Sequence, residues 1–275
     1  MVHPQVWPEC DDDIKKFVLT LVERLRGELE NRLIGIYLHG SLAMGSYYRP
    51  KSDIDLIVVV DERLEAAKAE AVGLAIANEA SNSPVIGKPE LSVITARTAR
   101  EIPVPVPFEV HYSAQWHDKI LNQDVDYDGE RTDSDLLSHL TYVTQHGICL
   151  YGTPISDVFG TVEWAHFMEA VRDDFNWILE DEHIVDTPFY SVLNICRVFQ
   201  LYAENSQTVH SKDEGGQWGL KHLPLDYHPL IQQALDVYRS PEPVSDEQRK
   251  TGGKVWNRAD LLAFRDYARA ALQDG

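Results

Sequence analysis

The run Ile54-Asp55-Leu56-Ile57-Val58-Val59-Val60 constrains this chain more than any other stretch. It is β-branched and apolar apart from one carboxylate, and reads as a strand buried in a sheet. Asp55 heads that strand, and a carboxylate among apolar neighbours is costly unless a cation meets it. Asp53 stands two residues earlier, so strand alternation projects both carboxylates from one face.

Upstream lies His39-Gly40-Ser41-Leu42-Ala43-Met44-Gly45-Ser46, which breaks a short apolar strand, Leu33 to Leu38. Glycine lets a backbone approach a phosphate closely, and the free amides of a helix start bind the anion. Two carboxylates side by side repel unless a cation lies between them. Mg2+ prefers oxygen ligands and usually shares them with substrate phosphates. A strand, a Gly-Ser turn, a short helix and a strand carrying Asp-x-Asp together form the layout of a two-metal phosphoryl or nucleotidyl transfer site. Glu90 opens the next expected strand, Glu90 to Thr95. If that strand neighbours Ile54–Val60, Glu90 reaches the same cavity, as a metal ligand or as acceptor of a hydroxyl proton.

The rest of the pattern sets the architecture. Residues 11–31 carry Ile14, Phe17, Val18, Leu21, Leu25 and Leu29 at helical spacing, with Asp11, Asp12 and Asp13 at the positive end of the helix dipole. Residues 63–80 are alanine-rich and helical, and Phe108 to Tyr112 reads as a fourth strand. From about residue 131 the segments lengthen into expected helices at 133–148, 164–183, 188–205, 227–239 and 259–273. The expectation is an α/β domain with a mixed sheet over residues 1–150, then an all-α helical bundle over 151–275 that closes an active-site cleft.

Charge ranks the partners. Lys and Arg total 25 against 44 Asp and Glu, a formal charge of -19. Such a surface repels nucleic-acid phosphates and attracts a cationic small molecule. No apolar run of about 18 residues is present, so no membrane span is expected. Three well-separated cysteines, Cys10, Cys149 and Cys196, without a CxxC pair suit reduced thiols in a cytoplasmic protein; a monomer is expected.

The turn and Asp-x-Asp pattern, with a later third acid, resembles the nucleotidyltransferase superfamily. Within it, Gly40-Ser41-Leu42-Ala43-Met44-Gly45 and Ser52-Asp53-Ile54-Asp55-Leu56 look like the streptomycin 3''-/spectinomycin 9-adenylyltransferases. The likeness continues in order through Pro89-Glu90-Leu91-Ser92-Val93-Ile94, Gln115-Trp116, Asp133-Ser134-Asp135-Leu136-Leu137, His146 to Gly152, Leu193 to Phe199, Ser211-Lys212-Asp213, Trp218 and Leu223-Pro224. This resemblance implies Mg-dependent transfer of AMP from ATP to an antibiotic hydroxyl, giving resistance to an aminoglycoside or aminocyclitol. It implies that Asp53, Asp55 and Glu90 hold two Mg2+ ions, with Glu90 as catalytic base. Gly40, Ser41 and Ser52 then contact the triphosphate, Arg197 and Lys212 neutralise it, and Tyr238 packs near the nucleotide. Trp116 and Asp135 fall on the antibiotic side.

One departure touches the acceptor. Where the resembled family carries Gly-Asp-Glu-Arg-Asn, this chain reads Asp181-Glu182-His183-Ile184-Val185-Asp186-Thr187-Pro188-Phe189. Spacing from Arg197 puts the family's acid at Thr187, with Asp186 as its substitute after a small shift. Another acceptor on the same fold, a different antibiotic or a protein hydroxyl, therefore stays open, as does a nucleotide-binding module without turnover.

Overall fold

The computed structural model describes residues 3–86, 89–180, 182–245 and 247–273. Two compact units divide the chain. One comprises Gln5–Tyr47 and Ser52–Phe167. The other takes the segment ending at Pro4, then Tyr48–Lys51, then the chain from Met168 onward. The division falls at 167/168, beyond the expected 150/151. The chain stays in the sheet past residue 150, and Gly160 N–H then donates to Ala99 O at 3.0 Å.

The first unit opens with α1 (Asp12–Leu29), β1 (Leu33–His39) and the one-turn α2 (Gly40–Ala43). It continues with β2 (Ile54–Val60), α3 (Ala66–Ala80), β3 (Pro89–Thr95) and α4 (Ala96–Glu101). Next come β4 (Val106–Phe108), β5 (Val110–Tyr112), α5 (His117–Leu121) and β6 (Arg131–Asp133), then α6 (Leu136–His146), β7 (Ile148–Gly152) and α7 (Ile155–Val158). The main sheet has the order β5-β3-β2-β1-β7. Only β2 and β3 run parallel, so the sheet is mixed, as expected.

Alternation along the strands sorts this sheet. One face carries Ile36 and Leu38, Leu56 and Val58, Leu91 and Val93, and Val110 and Tyr112, all buried in one core with α1 and α3. The opposite face receives every second residue: His39, Asp55 and Glu90 in one cross-strand row, then Ile57, Ser92 and His111 in the row beside it.

Two expectations are corrected here. Phe108 to Tyr112 is not one strand. At Glu109 the N–H donates to Val93 O (2.8 Å) and the carboxylate accepts from Leu64 N–H (2.9 Å), so the chain switches sheets there. β4 pairs with β6 in a separate two-stranded sheet, while β5 edges the main one. The helix expected to reach residue 148 ends at His146, and the following residues form β7 against β1.

The second unit is helical: α8 (Trp164–Leu179), whose first turn precedes the division, then α9 (His183–Asp186), α10 (Pro188–Glu204), α11 (Lys212–His222), α12 (His228–Arg239) and α13 (Arg258–Gln273). α11 was not among the expected helices. Its glycines Gly215, Gly216 and Gly219 lower helix propensity by about 1 kcal/mol each, but they fit tight packing. A β-carbon on Gly216 would stand 2.6 Å from Leu235 Cδ2 and 2.8 Å from Leu193 Cδ2. A capping box starts the helix: Ser211 Oγ accepts from Glu214 N–H, and the Glu214 carboxylate accepts from Ser211 N–H. Tyr48 belongs to this unit's core. It is 4% exposed, its ring meets Tyr238 edge-on at 4.9 Å, and its hydroxyl donates to Asp213. Asp213 in turn takes two hydrogen bonds from Arg239 (2.6 and 2.9 Å). Lys51, also buried, donates to Glu242 O at 3.1 Å.

Among the described residues, no helix is long and apolar enough to cross a membrane.

Candidate active site

β1 delivers the chain to Gly40, whose φ of +66° lies in the left-handed region that glycine tolerates. The turn closes through Met44 N–H to Gly40 O (3.1 Å) and Ser46 N–H to Ser41 O (2.9 Å). A β-carbon on Gly40 would overlap the Asp55 carboxylate. The Gly-Ser turn and the Asp-x-Asp strand therefore touch, and that approach requires a residue without a side chain at Gly40.

Asp55 pairs with His39 on the antiparallel side and with Glu90 on the parallel side. Asp53 directly precedes β2, and its charge is felt at Glu90. Register thus puts Asp55 and Glu90 side by side on one face, with Asp53 just ahead of the strand. Glu90 is about a third accessible, with a side-chain exposure of 35%, yet protein atoms crowd it on most sides. That burial raises its carboxyl above the ordinary range, the charges of Asp53, Asp135 and Asp133 add to the effect, and His139 opposes it.

Asp55 and Glu90 on neighbouring strands, with Asp53 just ahead of β2, offer the hard oxygen donors that Mg2+ takes. Among the described residues no group of three or more His, Cys, Asp or Glu is gathered closely enough to hold a metal ion alone. The chemistry of these residues fits a hard divalent cation, but as placed they do not form a closed cage.

Three histidines on this face went unread in the sequence as functional groups. His139 lies one helical turn after Asp135 on α6, which packs against β1, β2 and α2. Its Nε2 is 3.4 Å from Asp135 Oδ2 and 3.9 Å from Glu90 Oε1. Burial opposes its charge, but the hydrogen bond with Asp135 and the charges of Asp135, Glu90 and Asp55 prevail and push its pKa up to about 10. His39 is buried, with no hydrogen-bond partner at either ring nitrogen, and its ring lies 5.0 Å from that of His139. Burial, then the neighbouring His139, hold it neutral. His111 Nδ1 lies 2.9 Å from Ser92 Oγ, and burial lowers its pKa. The i, i+4 spacing of Asp135 and His139, and the strand alternation from Glu90 to Ser92, were the available signals.

Trp116 immediately precedes α5. Its ring lies edge-on to His111 at 6.2 Å, with Lys119 Nζ 5.2 Å from its centroid. Asp135 stands at the start of α6, mostly exposed. Ser41 lies in α2, and Ser52 is buried just before Asp53.

The remaining expected residues belong to the helical unit. Arg197 lies on α10 where α11 crosses closely, since a β-carbon on Gly215 would meet its backbone. Lys212 opens α11 with Nζ 5.0 Å from the Tyr190 ring centroid, and Tyr238 is buried in the core. Asp186 is exposed at the end of α9. Thr187 is buried, donates to His183 O and hydrogen-bonds with Ser191. Glu182 is paired with Arg258, and Asp181 lies outside the described residues.

Two family profiles match in chain order: the nucleotidyltransferase domain over residues 20–120 and the aminoglycoside adenylyltransferase C-terminal domain over residues 157–262. An aminoglycoside (3'') (9) adenylyltransferase of Klebsiella pneumoniae is 24% identical over 235 residues, 82% of this chain and 84% of that protein. A spectinomycin 9-adenylyltransferase of Campylobacter jejuni is 23% identical over 227 residues, 80% and 83% of the two chains. The fold is similar to that of a spectinomycin adenyltransferase from Enterococcus faecalis solved with ATP and spectinomycin, with a TM-score of 0.71 and 21% identity. That match covers 92% of this chain and 99% of the other. With both domain profiles in order and the carboxylate face assembled beside the Gly-Ser turn, the chain belongs to the aminoglycoside adenylyltransferase family and is a nucleotidyltransferase.

Proposed function

We propose that this enzyme transfers AMP from ATP to a hydroxyl of an aminoglycoside or aminocyclitol antibiotic of the streptomycin or spectinomycin type, and so confers resistance. One observation carries the reading: Asp55 and Glu90 are register partners on β2 and β3, beside the Gly40-Ser41 turn. An ATP donor fits a reaction in the cytoplasm.

Asp53, Asp55 and Glu90 would hold two Mg2+ ions. When bound, the metal supplies charge neutralisation for the triphosphate and the departing pyrophosphate. Glu90 accepts the proton of the acceptor hydroxyl as that oxygen attacks the α-phosphorus. Gly40, Ser41 and Ser52 contact the phosphates, Arg197 and Lys212 supply positive charge to them, and Tyr238 supports the nucleotide. Trp116 offers an apolar ring face to the antibiotic, and Asp135 and Asp186 offer negative charge to its ammonium groups. The roles of the helical unit's residues rest on the resemblance of Arg197, Lys212 and Tyr238 to the family pattern.

Incubation with α-labelled ATP, Mg2+ and a panel of aminoglycosides and aminocyclitols tests this. Labelled spectinomycin or streptomycin, with pyrophosphate released in equal amount, is the expected result. ATP binding with no transfer to any member of the panel overturns it.

A second reading has its own observation. Thr187 stands where the resembled family has an acid, and its hydroxyl is engaged with His183 and Ser191. A different acceptor on the same chemistry is then favoured. Labelling of another drug or of a protein, with spectinomycin and streptomycin left unmodified, would select it.

A further inference from the structure

His139 has no place among the expected site residues, yet it lies against two of them. Its Nε2 stands between Asp135 Oδ2 at 3.4 Å and Glu90 Oε1 at 3.9 Å. Helix geometry fixes the first contact, because Asp135 and His139 are one turn apart on α6. Packing of α6 on β1 and β2 fixes the second.

The imidazole is also backed from the sheet side. His39, held by the β1–β2 ladder opposite Asp55, lies with its ring 5.0 Å from that of His139 and inclined at 53°. Neither nitrogen of His39 makes a hydrogen bond. The ring therefore serves as a wall that limits rotation of His139. A residue on a rigid helix, braced on one side, keeps an N–H aimed at a carboxylate.

We propose that His139 is a positioning residue: with Nε2 at hydrogen-bond distance from Asp135 and at ion-pair distance from Glu90, it holds the Glu90 carboxylate toward the acceptor hydroxyl. The inference rests on the adenylyl-transfer reading, in which Glu90 is the base. Removing such an outer partner lowers activity by roughly 10-fold or more, without removing any atom that contacts ATP.

The test compares His139→Gln with His139→Asn. Both carry the same amide, but the longer side chain places its nitrogen near the position of Nε2 and the shorter one does not. Steady-state constants are measured for ATP and for the antibiotic that the wild-type enzyme modifies. Melting temperatures and calorimetric affinity for a non-hydrolysable ATP analogue are measured alongside. The expected result is a kcat for His139→Asn at least roughly 10-fold below wild type, substantial recovery in His139→Gln, and the same analogue affinity in all three proteins. Equal kcat values for the two variants overturn the positioning role, whether both are high or both are low. Loss of analogue affinity in step with kcat overturns it too, since that marks general damage to the site. A wild-type enzyme that transfers no AMP to any acceptor sinks the functional reading itself, and His139's role with it.

Discussion

The carboxylate of Asp55 stands in the space that a β-carbon on Gly40 would fill. The Gly-Ser turn and the Asp-x-Asp pair, which are separate motifs in the sequence, are thus one steric object. Gly40→Ala introduces a methyl into that space and puts alanine at a φ of +66°. The backbone penalty alone is about 1–2 kcal/mol. The expected outcome is a lowered melting temperature together with loss of most AMP transfer; wild-type transfer rates would refute the contact.

Glu90→Ala removes the base but leaves Asp53 and Asp55. General-base catalysis contributes roughly 100- to 10,000-fold, so kcat should drop within that range while Mg-ATP affinity is largely kept. Single-turnover kinetics and calorimetry separate the two effects. An active variant removes Glu90 from the base role.

Trp116→Ala should raise KM for the antibiotic more than KM for ATP. Trp116 has its ring among His111 and Lys119 in the first unit, on the side assigned to the acceptor. A change confined to the ATP constant would move Trp116 out of that role.

Burial, helped by the charge of Asp213, raises the Tyr48 hydroxyl to about 12, against about 10 in an unfolded chain. The fold favours the protonated phenol, so its contribution to stability is complete below the unfolded value. It is lost as pH climbs toward 12. Alkaline unfolding should steepen across that window, and Tyr48→Phe, which cannot ionise, should flatten the curve. An unchanged curve contradicts the burial of this ring.

Gly216→Ala tests the packing of α11. The added methyl would meet Leu235 and Leu193 below 3.0 Å. Overpacking of this kind destabilises by about 1–3 kcal/mol, so the melting temperature should fall although alanine is the better helix former. A rise in melting temperature would mean the contact relaxes freely.

The strands that carry the chemistry were legible because their composition and their alternation agree. Ile54–Val60 and Glu90–Thr95 are β-rich, and the face shared by Asp55 and Glu90 follows from a period of two. Other elements were illegible for physical reasons. α11 hides behind three glycines whose purpose is close approach to α10 and α12. The break at Glu109 depends on hydrogen bonds from Glu109 N–H to Val93 and from Leu64 N–H to its carboxylate, partners remote in sequence. His39, His111 and His139 come from three separate elements, and nothing local in any of them announces that their rings share a sheet face.

The assignment of Tyr48–Lys51 to the helical unit bears on how this gene can be cut. The C-terminal half is not a self-sufficient module, because a ring of its core is encoded more than a hundred codons upstream. A fragment starting near Met168 would expose the cavity that Tyr48 fills and leave the Asp213–Arg239 pair without its hydroxyl. Recombination between relatives at the apparent junction would therefore have to exchange the short loop before Asp53 as well, so inheritance of the two halves is coupled by four residues.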